Sequence, residues 1–252
     1  MNLEGEGIAI AILKNTKSKN IPILYVDNEN NAKSIYCDLK LKNAEMFQQI
    51  PNPESERQIL YITGRSGSGK SYYTKKYLEE YKKMYPKNEI YVFSALDEDP
   101  SLDSLKDLKR IKLTEELLGE NLEAKDFKNS IVIFDDTDCL TSKKILKKVD
   151  EIKDSILQTG RHYNVSCIIT THTACNGGAT KVILNESHSV TIFPAGLGNR
   201  SLKYLLDSYL GLDKSQIKKI KNLNSRWITI IKSFPMIILS EKEAYVLKND
   251  IQ

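Results

Sequence analysis

The chain has 252 residues and a formal net charge of +4, which suits one α/β domain with additions and excludes two domains of equal size. No apolar run approaches the ~20 residues that span a bilayer, and the acidic start Met1-Asn2-Leu3-Glu4-Gly5-Glu6 lacks the basic region of a secretory signal, so a soluble intracellular protein is expected. The mild charge does not by itself establish nucleic-acid binding, because lysines alternate with acids along helical stretches such as 75–83.

Basic surfaces for an assembly are offered by Lys143, Lys144, Lys147 and Lys148, and by Lys214, Lys218, Lys219 and Lys221. Arginine is scarce, and each of Arg57, Arg65, Arg110, Arg161, Arg200 and Arg226 invites a specific question, since a planar fork does work that an ammonium cannot. Cys37, Cys139, Cys167 and Cys175 form no C-x-x-C pair. Cys139 and Cys167 adjoin apolar runs, which predicts buried free thiols rather than a zinc site.

The chain opens with short predicted strands at 8–13, 23–26 and 34–41, separated by Asn- and Lys-rich turns such as Asp27-Asn28-Glu29-Asn30-Asn31. They describe a β-rich N-terminal extension over 1–53, which Pro51-Asn52-Pro53 separates from a nucleotide-binding domain over 54–252. The apolar run Ile59-Leu60-Tyr61-Ile62 then enters Gly64-Arg65-Ser66-Gly67-Ser68-Gly69-Lys70-Ser71, a complete G-x-x-x-x-G-K-[ST] phosphate loop, with Tyr72 beginning a helical stretch. Backbone N–H groups at a helix N-terminus can meet a triphosphate if no side chain blocks the approach, which is the use of Gly64, Gly67 and Gly69. Lys70 reaches the β- and γ-phosphates as a point charge, and the Ser71 hydroxyl is the expected ligand of a Mg²⁺ that keeps most of its waters. Residues 64–72 are therefore the candidate ATP-binding set.

Tyr73, Tyr77, Tyr81 and Tyr85 recur every four residues, with Leu78 and Met84 beside them and Pro86 as the stop, which predicts one helix packed on a sheet. A strand at 90–94 and an acidic loop, Asp97-Glu98-Asp99-Pro100, follow. Ile131-Val132-Ile133-Phe134 then runs into Asp135-Asp136, as a buried parallel strand does when it delivers polar groups at its carboxyl end. Asp135 is the candidate Mg²⁺ acid and Asp136 the candidate acid that orients or deprotonates an attacking water, a task given more often to the longer Glu. Both can also be read as caps of the next helix.

The apolar positions 145, 149, 152 and 156 trace a helical face over 142–158, stopped by Gly160. A buried strand at 165–169 ends in Thr170-Thr171-His172-Thr173, where Thr171 or His172 either contacts the γ-phosphate or the water, or merely begins a loop. The small polar stretch 173–181 reads as a flexible loop with room for a second-site role. A strand at 189–193, helices at 200–209 and 215–223, and a hairpin of 227–231 with 236–239 around Phe234-Pro235 complete the reading.

This order of strands resembles the P-loop ATPases that carry an extra strand between their two nucleotide-binding strands. More specifically, I-V-I-F-D-D-T-D, T-G-R-H and S-C-I-I-T-T-H resemble the FtsK/HerA superfamily, especially the DNA-packaging ATPases of large double-stranded DNA viruses, over roughly 59–193. Ser225-Arg226-Trp227-Ile228-Thr229-Ile230 is also similar to viral members. The resemblance implies a three-layer P-loop NTPase with a mostly parallel central sheet, extended here by the N-terminal β-rich segment and the C-terminal hairpin. It further implies a homo-oligomeric ring around double-stranded DNA, ATP and Mg²⁺, a capsid or membrane-associated viral partner, and a place in the host cytoplasm at virus assembly or in the virion. By position Lys70 and Ser71 match the Walker-A pair, Asp135 the metal acid and Asp136 the catalytic acid; Thr171 or His172 stands where the family commonly has Gln. Arg161 is the candidate arginine finger toward a neighbour's ATP, with a helix-end role as the alternative and Arg200 and Arg226 as competitors. A small-acceptor kinase lacks a visible arginine-rich lid here, and a GTPase lacks an N-K-x-D motif. A nucleotide-gated scaffold without turnover fits the short side chain of Asp136.

Overall fold

The computed structural model describes residues 1–5, 7–18, 20–26, 38–42, 44–233 and 235–247. The expected turn at Asp27 to Asn31, the first half of the strand expected at 34–41, Cys37 and Phe234 lie outside the described residues. Strand β1 (Ile8–Lys14) pairs antiparallel with β2 (Ile23–Val26) and, on its other edge, with β4 (Met46–Gln49), giving a three-stranded sheet in the order β2-β1-β4. Strand β3 (Asp38–Lys40) leaves that sheet and joins the far edge of the large one. Both faces of β1 are covered. Ile10 and Leu13 share a core with the strand and helix that flank the glycine loop, whereas Ala9 and Ile12 cluster with Ile50. Strand β4 escapes a sequence reading because its two apolar residues are followed by two glutamines.

Among the described residues the large sheet has ten strands. Its middle is β5 (Ile59–Thr63), and β6 (Glu89–Ser94), β7 (Leu108–Ile111), β8 (Ser130–Asp135), β9 (Val165–Thr171) and β10 (Ser189–Ile192) are parallel to it. The order β10-β5-β9-β8-β6-β7 places β9 between the phosphate-loop strand and the acidic strand. The continuous apolar runs are explained by burial on both faces. Leu60, Ile62, Ile131 and Ile133 face α1 (Lys70–Met84) through Tyr73, Tyr77, Leu78 and Tyr81. Their alternates Ile59, Tyr61, Val132 and Phe134 face α2 (Lys143–Thr159) through Ile145, Val149, Ile152 and Ile156. Helix α2 begins where Ser142 accepts a hydrogen bond from the Ile145 N–H and yields at Gly160 to a 3-10 turn, Gly160–Tyr163.

Two expectations need correction. The stretch 173–181 is not all loop, because α3 (Gly177–Glu186) starts inside it. Paired glycines conceal its helical character, and the Thr180 hydroxyl, which accepts from the Asn176 N–H, together with buried Ile183 and Leu184 holds it. Cys139 is exposed rather than buried, since the chain leaves the sheet at Asp136 and the 3-10 turn Thr137–Cys139 carries it to the surface; Cys167 is buried as expected.

Beyond β10 come α4 (Asn199–Tyr204), a π-helical turn (Leu205–Tyr209) and α5 (Lys214–Lys221), whose N-terminus Asp213 caps. The predicted hairpin is β11 (Ile228–Ile231) with β12 (Ile237–Ser240), extended by the unforeseen β13 (Glu243–Val246), which pairs with β3. A buried hydrogen-bond group joins these parts. The Tyr73 hydroxyl donates to Gln49 Oε1 at 2.6 Å and lies 2.8 Å from Thr229 Oγ1, which in turn meets Thr191 Oγ1 at 2.8 Å. Burial pushes the Tyr73 phenol up to about 12.

Arg57 has a structural answer. Its guanidinium donates to the carbonyls of Ile156 and Leu157 at 2.8 and 2.9 Å, satisfying the last turn of α2. Arg57→Ala should destabilise the protein by about 2–3 kcal/mol by stranding those carbonyls, with Arg57→Lys recovering only part, as read by urea denaturation.

Candidate functional site

Strand β5 ends at Thr63, and the chain turns at once into the glycine loop. A Cβ on Gly64 would lie 2.6 Å from Phe193 Cβ and 2.8 Å from Ser68 Oγ, so only glycine fits. Gly67 and Gly69 have φ of 72° and 110°, in the left-handed region. The Ser68 N–H closes the loop on the Arg65 carbonyl at 3.2 Å, and the Tyr73 N–H meets the Gly69 carbonyl at 2.9 Å to start α1. Helix α1 has no side-chain N-cap bond and no acid in its first turn, so its leading amides and positive dipole end are left for an anion. The Ser68 hydroxyl is buried and makes no hydrogen bond among the described residues.

Lys70 is only 5% exposed. Its ammonium donates to the Gly64 carbonyl at 3.0 Å, sits 3.2 Å from His172 Nδ1 and lies 3.4 Å from Asp136 Oδ2. His172 Nε2 is 3.0 Å from that same carboxylate oxygen. The acidic strand tip is held by hydroxyls. Asp135 accepts from Ser94 Oγ at 3.1 Å and from Thr170 Oγ1 at 2.9 Å; Thr170 Oγ1 also lies 3.1 Å from Asp136 Oδ1 and accepts the Asp136 N–H at 2.9 Å. One threonine hydroxyl has one proton, so Thr170 serves either carboxylate but not both at once. Asp136 adopts φ 48°, a left-handed turn that a short acidic residue tolerates and that swings it toward Lys70.

Burial pushes the Asp135 carboxyl up, the neighbouring Asp136 charge adds to this, and the Thr170 and Ser94 hydrogen bonds oppose it. A buried carboxylate beside a second one is a favourable place for a divalent cation, which would offset the charge both carry. The glycine loop, the uncapped helix start and this acidic tip together fit a metal–triphosphate, with Ser71 and Asp135 as the residues to hold the metal.

The structure thus brings Lys70, Asp136 and His172 together. It does not bring Thr171 there: the side chain points to the other face, where Oγ1 is 2.8 Å from the Tyr61 hydroxyl and 3.0 Å from the Thr173 carbonyl. Tyr61 also donates toward the carbonyls of Thr173 and Ala174, so it fixes the exit of β9 that aims His172. Arg161 lies on the turn before β9, at the opposite end of the sheet from the loop, exposed and paired with Glu56 at 3.0 Å. Arg200 is exposed on α4, and Arg65 lies against Gly196. Arg226 lies beside the loop, with Nη2 3.2 Å from where a Cβ on Gly69 would be. Tyr72 is exposed under the Lys76 ammonium. Thr170, Ser94 and Tyr61 went unsingled in the sequence, since a threonine, a serine and a tyrosine in apolar strands carry no local signal.

No model of a known protein family matches the chain. The uncharacterized protein V3 of Sputnik virophage is 42% identical over 205 residues, covering 80% of this chain and 81% of that protein. The genome-packaging NTPase B204 of Sulfolobus turreted icosahedral virus 2, in complex with ATP-gammaS, is similar at a TM-score of 0.51 and 17% identity over 74% of this chain and 98% of that one. The cytoplasmic domain of the type VII secretion ATPase EccC of Thermomonospora curvata is similar at a TM-score of 0.52 and 11% identity, over 86% of this chain and 29% of that one. Among the described residues no helix is long and apolar enough to cross a membrane.

Because burial disfavours the ionised form of Asp135, that charge works against folding. Asp135→Asn should therefore melt at or above the wild-type temperature in metal-free buffer, as read by calorimetry, while losing the metal dependence of nucleotide binding.

Proposed function

From the chain's membership of the family of the virophage protein V3, and from its FtsK/HerA-type P-loop ATPase fold, we propose a Mg²⁺-dependent ATPase that couples hydrolysis to double-stranded DNA translocation, filling a viral capsid. The observation that carries this reading is the cluster of Lys70, Asp136 and His172 within 3.4 Å of one another at the start of α1. The amides of 64–72 grip the phosphates, and Lys70 moves its charge from Asp136 and the Gly64 carbonyl onto the β- and γ-phosphates. That exchange frees Asp136 to orient the attacking water and take its proton at Oδ2. His172 holds the same oxygen and acts as the polar sensor, while Thr171 acts on the loop through Tyr61. Ser71 and Asp135 would hold Mg²⁺, which supplies charge neutralisation on the phosphate oxygens.

Arg161 is far from its own chain's loop, so its proposed place is the site of a neighbouring copy in a homo-oligomeric ring, with Arg200 and Arg226 as alternatives. Residues 1–53 are proposed as an appended β-rich unit for intersubunit or capsid docking, and 54–252 as the ATPase domain. A capsid or membrane-associated viral protein is the proposed partner, at assembly sites in the host cytoplasm or in the virion. A scaffold that binds ATP without turnover draws support from one observation, the pairing of Asp136 with Lys70.

Hydrolysis by the purified oligomer, with and without duplex DNA, separates these readings. DNA-stimulated turnover is expected; tight ATP binding with no turnover would leave only the scaffold, and turnover indifferent to DNA would remove translocation. Lys70→Ala should abolish ATP binding. Asp136→Asn should keep binding and lower turnover by about 100- to 10,000-fold, as expected for loss of a general base. Arg161→Ala should lower turnover only under conditions where the ring assembles.

A further inference from the structure

Beside the phosphate loop lies a cavity of about 740 Å³, within the size range of small-molecule sites. Its lining includes Gly69 and the face of α1 that carries Tyr72, Tyr73 and Lys76, positions three, four and seven residues on. The direction of a bound triphosphate follows from the other end of the loop. Asp136 and His172 crowd Lys70 there, which places the terminal phosphate on their side and the nucleoside toward Gly69.

The walls of this cavity come from three parts of the chain. Trp227, 8% exposed, packs its ring edge on Tyr73 at 5.1 Å and, with Phe193, gives an apolar side. The Arg226 N–H is fixed by Glu241 Oε2 at 2.8 Å, whereas its guanidinium makes no ion pair among the described residues and stands next to Gly69. The third wall is the N-terminal sheet, through Phe47 and Gln48 of β4. Gln48 is oriented: its amide Nε2 donates to the Lys76 carbonyl at 3.0 Å, which leaves Oε1 as an acceptor with no partner among the described residues.

We infer that this cavity is the nucleoside half of the site and that the N-terminal sheet completes it, with Gln48 selecting adenine. An amide oxygen accepts from the 6-amino group of adenine and meets only another acceptor, the 6-oxo group, on guanine. Tyr72, 57% exposed at the mouth, supplies a stacking face, and Arg226 the cation for the ribose and inner phosphate. This rests on the nucleotide-binding reading above.

Calorimetric competition with ATP, GTP and inorganic tripolyphosphate tests it without relying on turnover. Wild type should bind ATP up to about tenfold tighter than GTP, because at the half-buried Gln48 amide one hydrogen bond is lost and two acceptors face each other. Gln48→Ala should bring the ATP-to-GTP ratio close to one, and Tyr72→Ala should weaken ATP about tenfold. Gln48→Ala should not alter tripolyphosphate affinity, and unchanged circular dichroism melts confirm that both variants fold. Equal affinity of wild type for ATP and GTP, or an unchanged ratio in Gln48→Ala, would overturn adenine selection by the N-terminal sheet while leaving the phosphate loop intact. Failure of tripolyphosphate to bind wild type would instead overturn the phosphate-loop reading, and this inference with it.

Discussion

A nearly buried ammonium must be answered by charge, and in this protein the answer given to Lys70 organises the site. Asp136 supplies the negative partner and His172 a ring nitrogen, both from strand tips that are far apart in sequence. Removing either partner of such a cluster leaves an uncompensated charge in a poorly solvated place, at a cost in stability. The pairing depends on register. Thr63 stands opposite Thr171, and Asp135 opposite Thr170, so a one-residue slip of β9 would turn Thr170 away from both aspartates and reverse every buried side chain of that strand.

What could be read in the sequence was what is local. The glycine loop announces itself because its chemistry is encoded in eight consecutive residues, and β8 because four apolar residues precede two acids. The tyrosines of α1 and the apolar face of α2 repeat at helical spacing, and both helices stand where that spacing puts them. Harder to read were features made by contacts across the fold. Thr170 lies 35 residues from Asp135 and acquires its role only when β8 and β9 pair. Ser94 lies 41 residues from the same carboxylate. Strands β7 and β13 have four residues each, too few for alternation to stand out, and the glycines of α3 imitate a loop. Arg57 and Arg161 looked alike as rare arginines, yet one is locked onto a helix end and the other is held by a surface glutamate.

The same geometry shows why function and stability pull against one another here. Asp135 is kept buried next to another acid, Asp136 takes a left-handed turn, and the start of α1 forgoes a side-chain cap. Each choice weakens the isolated fold, and each suits the highly charged ligand proposed for the loop. Compensation comes from the sheet, whose central strands are apolar on both faces and enclosed by helices on one side and by α1 with the N-terminal strands on the other.

The hydroxyl of Tyr73 has a mechanical consequence. Through it the first turns of α1, the end of β4 and the neighbouring strands β10 and β11 share one knot of polar atoms inside an apolar interface. Peeling the leading segment off the body would break the bond from Tyr73 to Gln49, while Tyr73, Thr229 and Thr191 stay paired with one another. A displacement of β4 is therefore felt at the first turns of α1 through Tyr73, and at β10 through the Gln49 amide that donates to Ser189.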